Sequence, residues 1–234
     1  MRVAVVGAGA VGLTAATTIA DSGAEVVLYD RGEIASGATG RAAGICYDAF
    51  AEDLDAEIAA ASLRRFREFG VLTECPYVWF AREGDDANAD AIAEQVPRMQ
   101  SHGRDVALVD PDELGERYPQ LRTDEIGTAA IAHRAGHVDP TASADVLTER
   151  VLAQGVEVRT GTPVSLVGPT TLATADETVE CDAVLVAAGP ATREIVADAG
   201  VQIPLKAYRA QALVTDPLRA TMPMAYDATQ HVYW

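Results

Sequence analysis

Short apolar runs that alternate with helical periodicity open the chain. Residues 3–6 have the length and β-branched content of a buried parallel strand, and residues 10–20 follow with the composition of a helix. Residues 25–29 form a second apolar run. The alternation returns at residues 181–187, a continuous apolar strand, and at 191–199, a helix. The pattern predicts a parallel α/β unit assembled from separated parts of the chain.

The rest of the chain is richer in short strands. Further helices are predicted over residues 51–69, 85–102, 111–118 and 141–154. Further strands are predicted over 77–81, 105–109, 127–133, 156–159, 163–167, 170–174, 205–215 and 231–234, with a turn over 136–140. This order predicts an α/β fold with a Rossmann-like nucleotide-binding domain and an inserted, mainly antiparallel α+β domain. The predicted segments are 1–80 and 135–200 for the first, and 81–134 and 201–234 for the second.

Three glycines lie between the first strand and the first helix. Gly7, Gly9 and Gly12 have the spacing of the dinucleotide-binding turn, and Asp30 follows the second strand. In such a turn, the first glycine permits the tight bend, the second lets the backbone approach a pyrophosphate, and the third allows close helix–strand packing. Asp30 is placed to accept a hydrogen bond from a ribose hydroxyl. The strand, helix, second strand and acid all occur in order, so the sequence predicts a dinucleotide site.

The charge balance is strongly acidic. The chain has 35 acidic and 18 basic residues, a net charge of −17, and Lys206 is its single lysine. This composition favours a solvated, salt-tolerant surface, and drift in a GC-rich genome is the alternative explanation. A surface this negative argues against nucleic acid or anionic lipid as a partner.

Cysteine spacing and hydropathy limit the metal sites, disulfides and membrane segments that the sequence can support. Cys46, Cys75 and Cys181 are widely separated and form no CxxC, so neither a zinc site nor a disulfide framework is predicted. No run approaches the ~20 apolar residues that span a membrane. His133 and His137 flank a turn without metal-ligand spacing, and we expect them to be structural. A reducing, cytoplasmic location is predicted, with no metal.

Several motifs occur together along nearly the whole chain. They are the glycine turn, Asp30-Arg31, the small-residue stretch 36–44, Gly136–Pro140, Thr162–Val164, Val186–Pro190 and Pro204–Gln211. As a set they resemble the FAD-dependent D-amino acid oxidase, glycine oxidase and sarcosine oxidase family. The resemblance implies that the first domain binds FAD and that the second is a substrate domain.

The same resemblance assigns roles to particular residues. Candidate cofactor contacts are Gly7, Ala8, Gly9, Ala10, Val11, Gly12, Asp30, Arg31, Ala38, Thr39, Arg41, Ala42, Ala43, Gly44, Pro163, Val164, Ala188 and Gly189. His231 and Tyr233 are candidates for the substrate pocket. Some relatives attach flavin through a histidine in the segment matching 36–44, where this chain has Arg41, so non-covalent FAD is expected.

The implied reaction is oxidation of a C–N bond by hydride transfer to flavin, in an amino acid or secondary amine. The electron acceptor is oxygen or an unknown carrier. Two departures from the family pattern stand out: Asp30 replaces the more frequent Glu, and the chain ends at Trp234 within a predicted strand. The acidic composition predicts a salt-adapted, haloarchaeal-type family member. The end of the chain predicts an N-terminal portion of a longer protein with an incomplete substrate domain, and a naturally short protein is the alternative. The alternatives are an NAD-dependent dehydrogenase and a truncated nucleotide-binding module without turnover.

Overall fold

The computed structural model describes residues 1–216 and 220–234, which divide into two compact units. The first comprises Met1–Ala43 and Pro140–Ala212, and the second comprises Gly44–Asp139 and Leu213–Trp234. The strands are β1 (Arg2–Val6), β2 (Glu25–Tyr29), β3 (Ile45–Cys46), β4 (Leu72–Glu74), β5 (Tyr77–Arg82), β6 (Val106–Val109), β7 (Ile126–Ala132), β8 (Gly136–Val138), β9 (Glu157–Arg159), β10 (Ser165–Gly168), β11 (Thr171–Ala173), β12 (Thr178–Glu180), β13 (Ala183–Val186), β14 (Met224–Asp227) and β15 (Val232–Tyr233). The α-helices are α1 (Ala10–Asp21), α2 (Asp53–Glu68), α3 (Asp86–Ser101), α4 (Pro111–Arg117), α5 (Pro140–Ala153) and α6 (Thr192–Asp198).

A four-stranded parallel sheet is the centre of the first unit. Its order is β13-β1-β2-β9, and each neighbouring pair runs parallel. On one face, Ala4 and Val6 of β1 pack with Tyr29 and with Leu166 and Leu172 of the antiparallel β10-β11-β12 sheet. Side chains alternate along a strand, so the remaining β1 residues point to the opposite face. α1 packs against both β1 and β2 and against α5.

The second unit is built on a five-stranded sheet of order β15-β14-β5-β7-β6. β14 runs parallel to β5, and the other pairs are antiparallel. Tyr77 and Trp79 of β5 lie in a core with residues of α3, whereas Val78 and Phe80 lie in a core with Leu114 of α4. A helix therefore covers each face of this sheet. A smaller sheet, β3-β8-β4, belongs to the same unit.

The division into units differs from the predicted segments. Residues 44–80 were expected in the nucleotide-binding domain, but they lie in the second unit. The reason is strand pairing, because β5 pairs with β7 and β14, and β3 and β4 both pair with β8. The first boundary consequently falls at Gly44 instead of residue 80. Residues 135–139 also lie in the second unit, and residues 201–212, expected in the inserted domain, lie in the first.

Three local expectations also differ from the structure. Residues 136–140 were expected as a turn, but Gly136–Val138 is the central strand of the small sheet. Residues 205–215, expected as a strand, form no regular secondary structure and are exposed, because they pair with no strand among the described residues. β14 was not expected at all. No helix in the described part of the chain combines the length and apolarity needed to cross a membrane.

Candidate functional site

The turn between β1 and α1 is packed so closely that only glycine fits at two of its positions. Gly7 has φ +112°, and a Cβ added there would lie 2.4 Å from the Ala187 carbonyl oxygen. A Cβ on Gly12 would lie 1.8 Å from the Gly7 carbonyl oxygen. The Ala187 amide also donates to Val6 O at 2.7 Å. The first and third glycines therefore hold β1, α1 and the end of β13 together.

The N-terminus of α1 begins at Gly9, which has no side chain to cap the helix, and a threonine from another segment accepts a hydrogen bond from one of its amides. Gly9 is the N-cap residue and carries no capping hydrogen bond of its own. The Ala10 amide donates to Thr39 Oγ1 at 3.0 Å, and a Cβ on Gly9 would meet only that Thr39 side chain. Val11 in the first turn is 70% exposed. Backbone amides at such a terminus form a binding site for an anion, and the helix dipole adds to the attraction.

Asp30, which directly follows β2, stabilises this turn by accepting two backbone hydrogen bonds. Its Oδ2 accepts the Ala8 amide at 2.7 Å, and its Oδ1 accepts the Gly32 amide at 2.8 Å. An ionised carboxylate has about four acceptor positions, so a ribose hydroxyl can still donate to it. The sequence predicted the ribose contact but not the two backbone contacts.

The other segments of the first unit end at the same edge of its sheet. The Thr162 amide donates to Asp30 O at 2.8 Å, which places the start of Pro163-Val164 beside Asp30. Val164 and Ala188 both pack against the core on the Tyr29 face. Gly189 follows with φ +57° and has open space around it. Since the carboxyl ends of parallel strands form the usual ligand edge, these residues fit one site.

The small-residue stretch is divided between the units. A 3₁₀ helix spans Thr39–Arg41, and Ala38, Ala42, Ala43 and Arg31 are exposed in the first unit. Gly44 belongs to the second unit, where it has φ +74° and where a Cβ would lie 2.0 Å from Val138 O. Packing between β3 and β8 therefore requires a glycine at position 44 without reference to a flavin.

The two predicted substrate residues lie on the hairpin of β14 and β15 in the second unit. His231 has φ +54°, and its Nδ1 is 3.0 Å from the hydroxyl oxygen of Tyr226. Tyr233 is directly opposite Tyr226 across the hairpin, so both side chains share a face of the sheet. Tyr226 packs against the core that contains Tyr77 and Trp79. The hairpin thus groups a phenol and an imidazole that sequence reasoning did not pair.

Aromatic rings continue along this face. Tyr47 stacks on Tyr77 with ring centroids 4.5 Å apart, on Phe50 at 4.9 Å, and Tyr77 stacks on Trp79 at 6.1 Å. Burial raises the pKa of both Tyr47 and Tyr77, so their hydroxyls remain protonated hydrogen-bond donors. Tyr47, Tyr77 and Tyr226 were not predicted from the sequence as part of a site. The alternation of Tyr77 and Trp79 along a strand was the available signal.

The first unit, with its glycine turn, uncapped helix and strand-end carboxylate, is a dinucleotide-binding unit. The chain belongs to the family of FAD dependent oxidoreductases, whose family model matches residues 2–233. This membership confirms the family resemblance and the α/β fold with a Rossmann-like domain, and it favours FAD over the NAD alternative.

Known proteins resemble the chain in sequence and in fold. Mitochondrial dimethylglycine dehydrogenase from Rattus norvegicus is 26% identical over 226 residues, which are 92% of this chain and 26% of the relative. L-proline dehydrogenase from P. horikoshii is 24% identical, with a TM-score of 0.91 over 99% of this chain and 66% of that chain. Glycine oxidase from Bacillus cereus ATCC 14579 is 23% identical, with a TM-score of 0.70 over 84% of this chain and 57% of that chain. The chain therefore spans about a quarter of the length of dimethylglycine dehydrogenase and less than two thirds of each of the two solved structures.

The residues present fit the cofactor that the family description names. FAD carries a pyrophosphate, and the α1 terminus, where Gly9 supplies no side-chain cap, presents backbone amides to an anion. Asp30 provides acceptor capacity for a ribose, beside the start of Pro163-Val164. The fit depends on contacts within the first unit alone.

Proposed function

We propose that this chain binds FAD non-covalently and acts in the oxidation of a C–N bond in an amino acid or secondary amine. One observation carries the cofactor part: the glycine turn, the open helix terminus and the Asp30 carboxylate converge at one edge of the parallel sheet. Membership of the FAD dependent oxidoreductase family supports the redox chemistry.

Each segment of the first unit has a proposed contact with FAD. The pyrophosphate lies against the α1 N-terminus at Gly9, Ala10 and Val11, where the Ala10 amide already donates to Thr39 Oγ1. Asp30 accepts from the ribose. Pro163 and Val164 supply backbone contacts to the adenine, and Ala188 and Gly189 lie near the pyrophosphate or ribitol. The remaining proposed contacts of this unit are Gly7, Ala8, Gly12, Arg31, Ala38, Thr39, Arg41, Ala42 and Ala43. Gly44 lies in the second unit, where packing at Val138 accounts for it. A guanidinium cannot replace a flavin-linking histidine, so Arg41 supports non-covalent binding.

The relatives suggest the substrate class. Their names specify dimethylglycine, L-proline and glycine, all of which are amino acids. FAD, when bound, accepts the hydride, and the protein provides binding and orientation. His231, Tyr233 and Tyr226 are proposed to face this substrate, because they share one hairpin and offer a ring nitrogen and two phenol hydroxyls. Dioxygen or an electron carrier then removes the electrons.

The cellular setting is also a proposal. We place the protein in a reducing, salt-rich cytoplasm, with no nucleic acid partner. The three cysteines are free and half-buried, as a reducing compartment allows. The net charge of −17 and the single lysine support adaptation to salt.

A flavin-binding and reduction experiment tests the activity. The chain is purified gently, reconstituted with FAD in high salt, and its flavin absorbance is recorded before and after acid precipitation. We expect a yellow protein whose FAD is released into the acid supernatant. Colour that stays in the precipitate would contradict non-covalent binding, and a chain that retains NAD but no FAD would contradict the cofactor.

Reduction of the bound flavin by substrate is then measured without oxygen. We expect sarcosine, N,N-dimethylglycine, L-proline or glycine to bleach the flavin absorbance, whereas 2-hydroxy acids of the same size do not. Readmission of air restores the colour if dioxygen is the acceptor, and an artificial electron carrier restores it otherwise. A bound flavin that none of these amines bleaches would contradict turnover by this chain and favour the nucleotide-binding module.

A further inference from the structure

A buried carboxylate links the β14–β15 hairpin to the neighbouring strand. Asp227 ends β14 and is only 1% exposed, which is rare for an aspartate. Its Oδ2 accepts from Arg82 Nε at 2.7 Å. Its Oδ1 accepts the amides of Thr229 and Gln230 at 3.1 and 3.0 Å. One carboxylate therefore joins β5 to the turn between β14 and β15.

Thr229 fixes the same turn a second time. Its hydroxyl oxygen accepts the Arg82 amide at 3.0 Å. The Asn88 side chain and then the Thr229 hydroxyl hydrogen-bond the Asp85 carboxylate, and these bonds hold the pKa of Asp85 below its usual value. Asp85 is the N-cap residue of α3. The turn is thus attached both to a strand and to the start of a helix.

The fixed turn ends at His231, which has a backbone conformation that side-chain-bearing residues rarely adopt. Its φ of +54° lies in the left-handed region, which is unfavourable for a residue with a Cβ. Such a conformation persists where the surroundings over-determine it. In this conformation the imidazole Nδ1 is 3.0 Å from the Tyr226 hydroxyl, at the other end of the turn.

We propose that Asp227 is a positioning residue for the pair formed by Tyr226 and His231. Its carboxylate holds the 227–231 turn so that the imidazole Nδ1 stays on the Tyr226 hydroxyl and Nε2 is directed away from it, toward substrate. The assignment of this pair to a substrate rests on the proposed function, whereas the positioning is a property of the hairpin itself.

Asp227→Asn is the decisive substitution. Both carboxylate oxygens accept hydrogen bonds, so an asparagine can satisfy either Arg82 or the turn amides, but not both. The readout is the ¹⁵N spectrum of the histidine side chains in the FAD-loaded full chain, with His231 assigned by His231→Gln. We expect Asp227→Asn to shift His231 Nδ1 toward the position it takes in Tyr226→Phe, where its partner is absent. We also expect the amine concentration for half-maximal flavin reduction to rise about tenfold, as for one lost hydrogen bond to a charged group.

Glu125→Gln is the matched control, because Glu125 pairs with the same Arg82 but is exposed and does not contact the turn. It should leave both the His231 signal and the half-maximal amine concentration unchanged. Thr229→Ala is a milder variant that keeps the turn amides, and we expect a smaller shift in the same direction. An unchanged His231 Nδ1 signal in both Asp227→Asn and Thr229→Ala overturns the inference. A shifted signal in a chain whose flavin no amine reduces supports the positioning and overturns the proposed function instead.

Discussion

Glycines in this chain are needed for one of two reasons: close packing inside a unit, or access for a ligand. The spacing of a motif alone does not distinguish the two. Gly7 and Gly12 are required by contacts inside the first unit, where added side-chain atoms would collide with backbone oxygens. Gly44 is required in the same way inside the second unit, at Val138. Gly9 differs, because an added Cβ would meet only the end of the Thr39 side chain. Of these four glycines, Gly9 is therefore the one whose missing side chain best suits contact with an external ligand.

Gly12→Ala tests the packing of the glycine turn. The new Cβ would lie 1.8 Å from Gly7 O, so either α1 or the turn must move. We expect the free energy of unfolding to fall by ~3 kcal/mol, the upper end of overpacking costs, and FAD binding to be lost. Urea unfolding and a flavin titration measure the two effects. Gly168→Ala is the control, since its Cβ would make ordinary contacts at 3.4 Å with Thr171, and a similar loss in that variant would contradict the explanation.

Asp30→Asn separates the two roles of the strand-end acid. The amide side chain keeps one acceptor oxygen but presents an N–H₂ to the second backbone amide, so either Ala8 or Gly32 loses its partner. We expect FAD to bind at least about tenfold more weakly, with a loss of stability near 1–2 kcal/mol. Equilibrium dialysis with FAD and thermal unfolding check this. The exposed Asp198→Asn should change neither, and tight FAD binding by Asp30→Asn would remove Asp30 from the site.

At the scale of elements, the sequence was most informative where one segment determines its own structure. The helix predicted over 51–69 is α2, and that over 85–102 is α3, because amphipathic periodicity is local. The glycine turn was equally predictable from the sequence, since its glycines and Asp30 lie within one βαβ unit. Elements that depend on distant partners could not be predicted in this way. β8 forms between β3 and β4, and β14 pairs with β5, which lies far away in the sequence. The Tyr47–Tyr77 stack likewise joins residues far apart in the sequence. The Tyr226–His231 pair is local to the β14–β15 hairpin, and it was missed because β14 itself was not predicted.

The stacked tyrosines give β5 a pH dependence. Burial, followed by the nearby Tyr47 and Tyr226, raises the pKa of Tyr77. Tyr77 binds its proton more tightly in the folded chain, so its contribution to stability is complete below pH ~10, the unfolded value, and is lost as pH rises further. We expect the free energy of unfolding to fall above that pH by about 1.4 kcal/mol per unit for each such tyrosine.

Tyr77→Phe checks this assignment, because phenylalanine keeps the ring and cannot ionise. Denaturant unfolding at several values between pH 8 and 11 should show a shallower decline in the variant than in the parent. Tyr208→Phe, at a side chain that is 80% exposed, should leave the decline unchanged. Equal slopes for Tyr77→Phe and the parent would show that Tyr77 has the same pKa in the folded and unfolded chain.

At the scale of the whole molecule, charge is the dominant property. A net charge of −17 on 234 residues means that compact units carry many like charges close together. Self-repulsion of this kind opposes the folded state and is reduced by salt. Basic side chains near acids offset it only in part, as at Arg159, which pairs with Glu157 and Glu177. Since one lysine is present, nearly all such pairs must use arginine.

Stability should therefore increase with KCl, and the shape of the increase identifies its cause. The Debye length falls from about 10 Å at 0.1 M to about 3 Å at 1 M, so a gain from screening is mostly complete by ~1 M. Salt exclusion from apolar surface would instead continue to add stability at higher concentration. Urea unfolding from 0.1 to 3 M KCl distinguishes the two curves. A variant that replaces the exposed acids Glu57, Glu94 and Glu116 by glutamine should be more stable than the parent at 0.1 M and gain less from KCl. If this variant instead gains as much as the parent, repulsion between surface carboxylates is not what salt relieves, and compositional drift becomes the better explanation of the acidic surface.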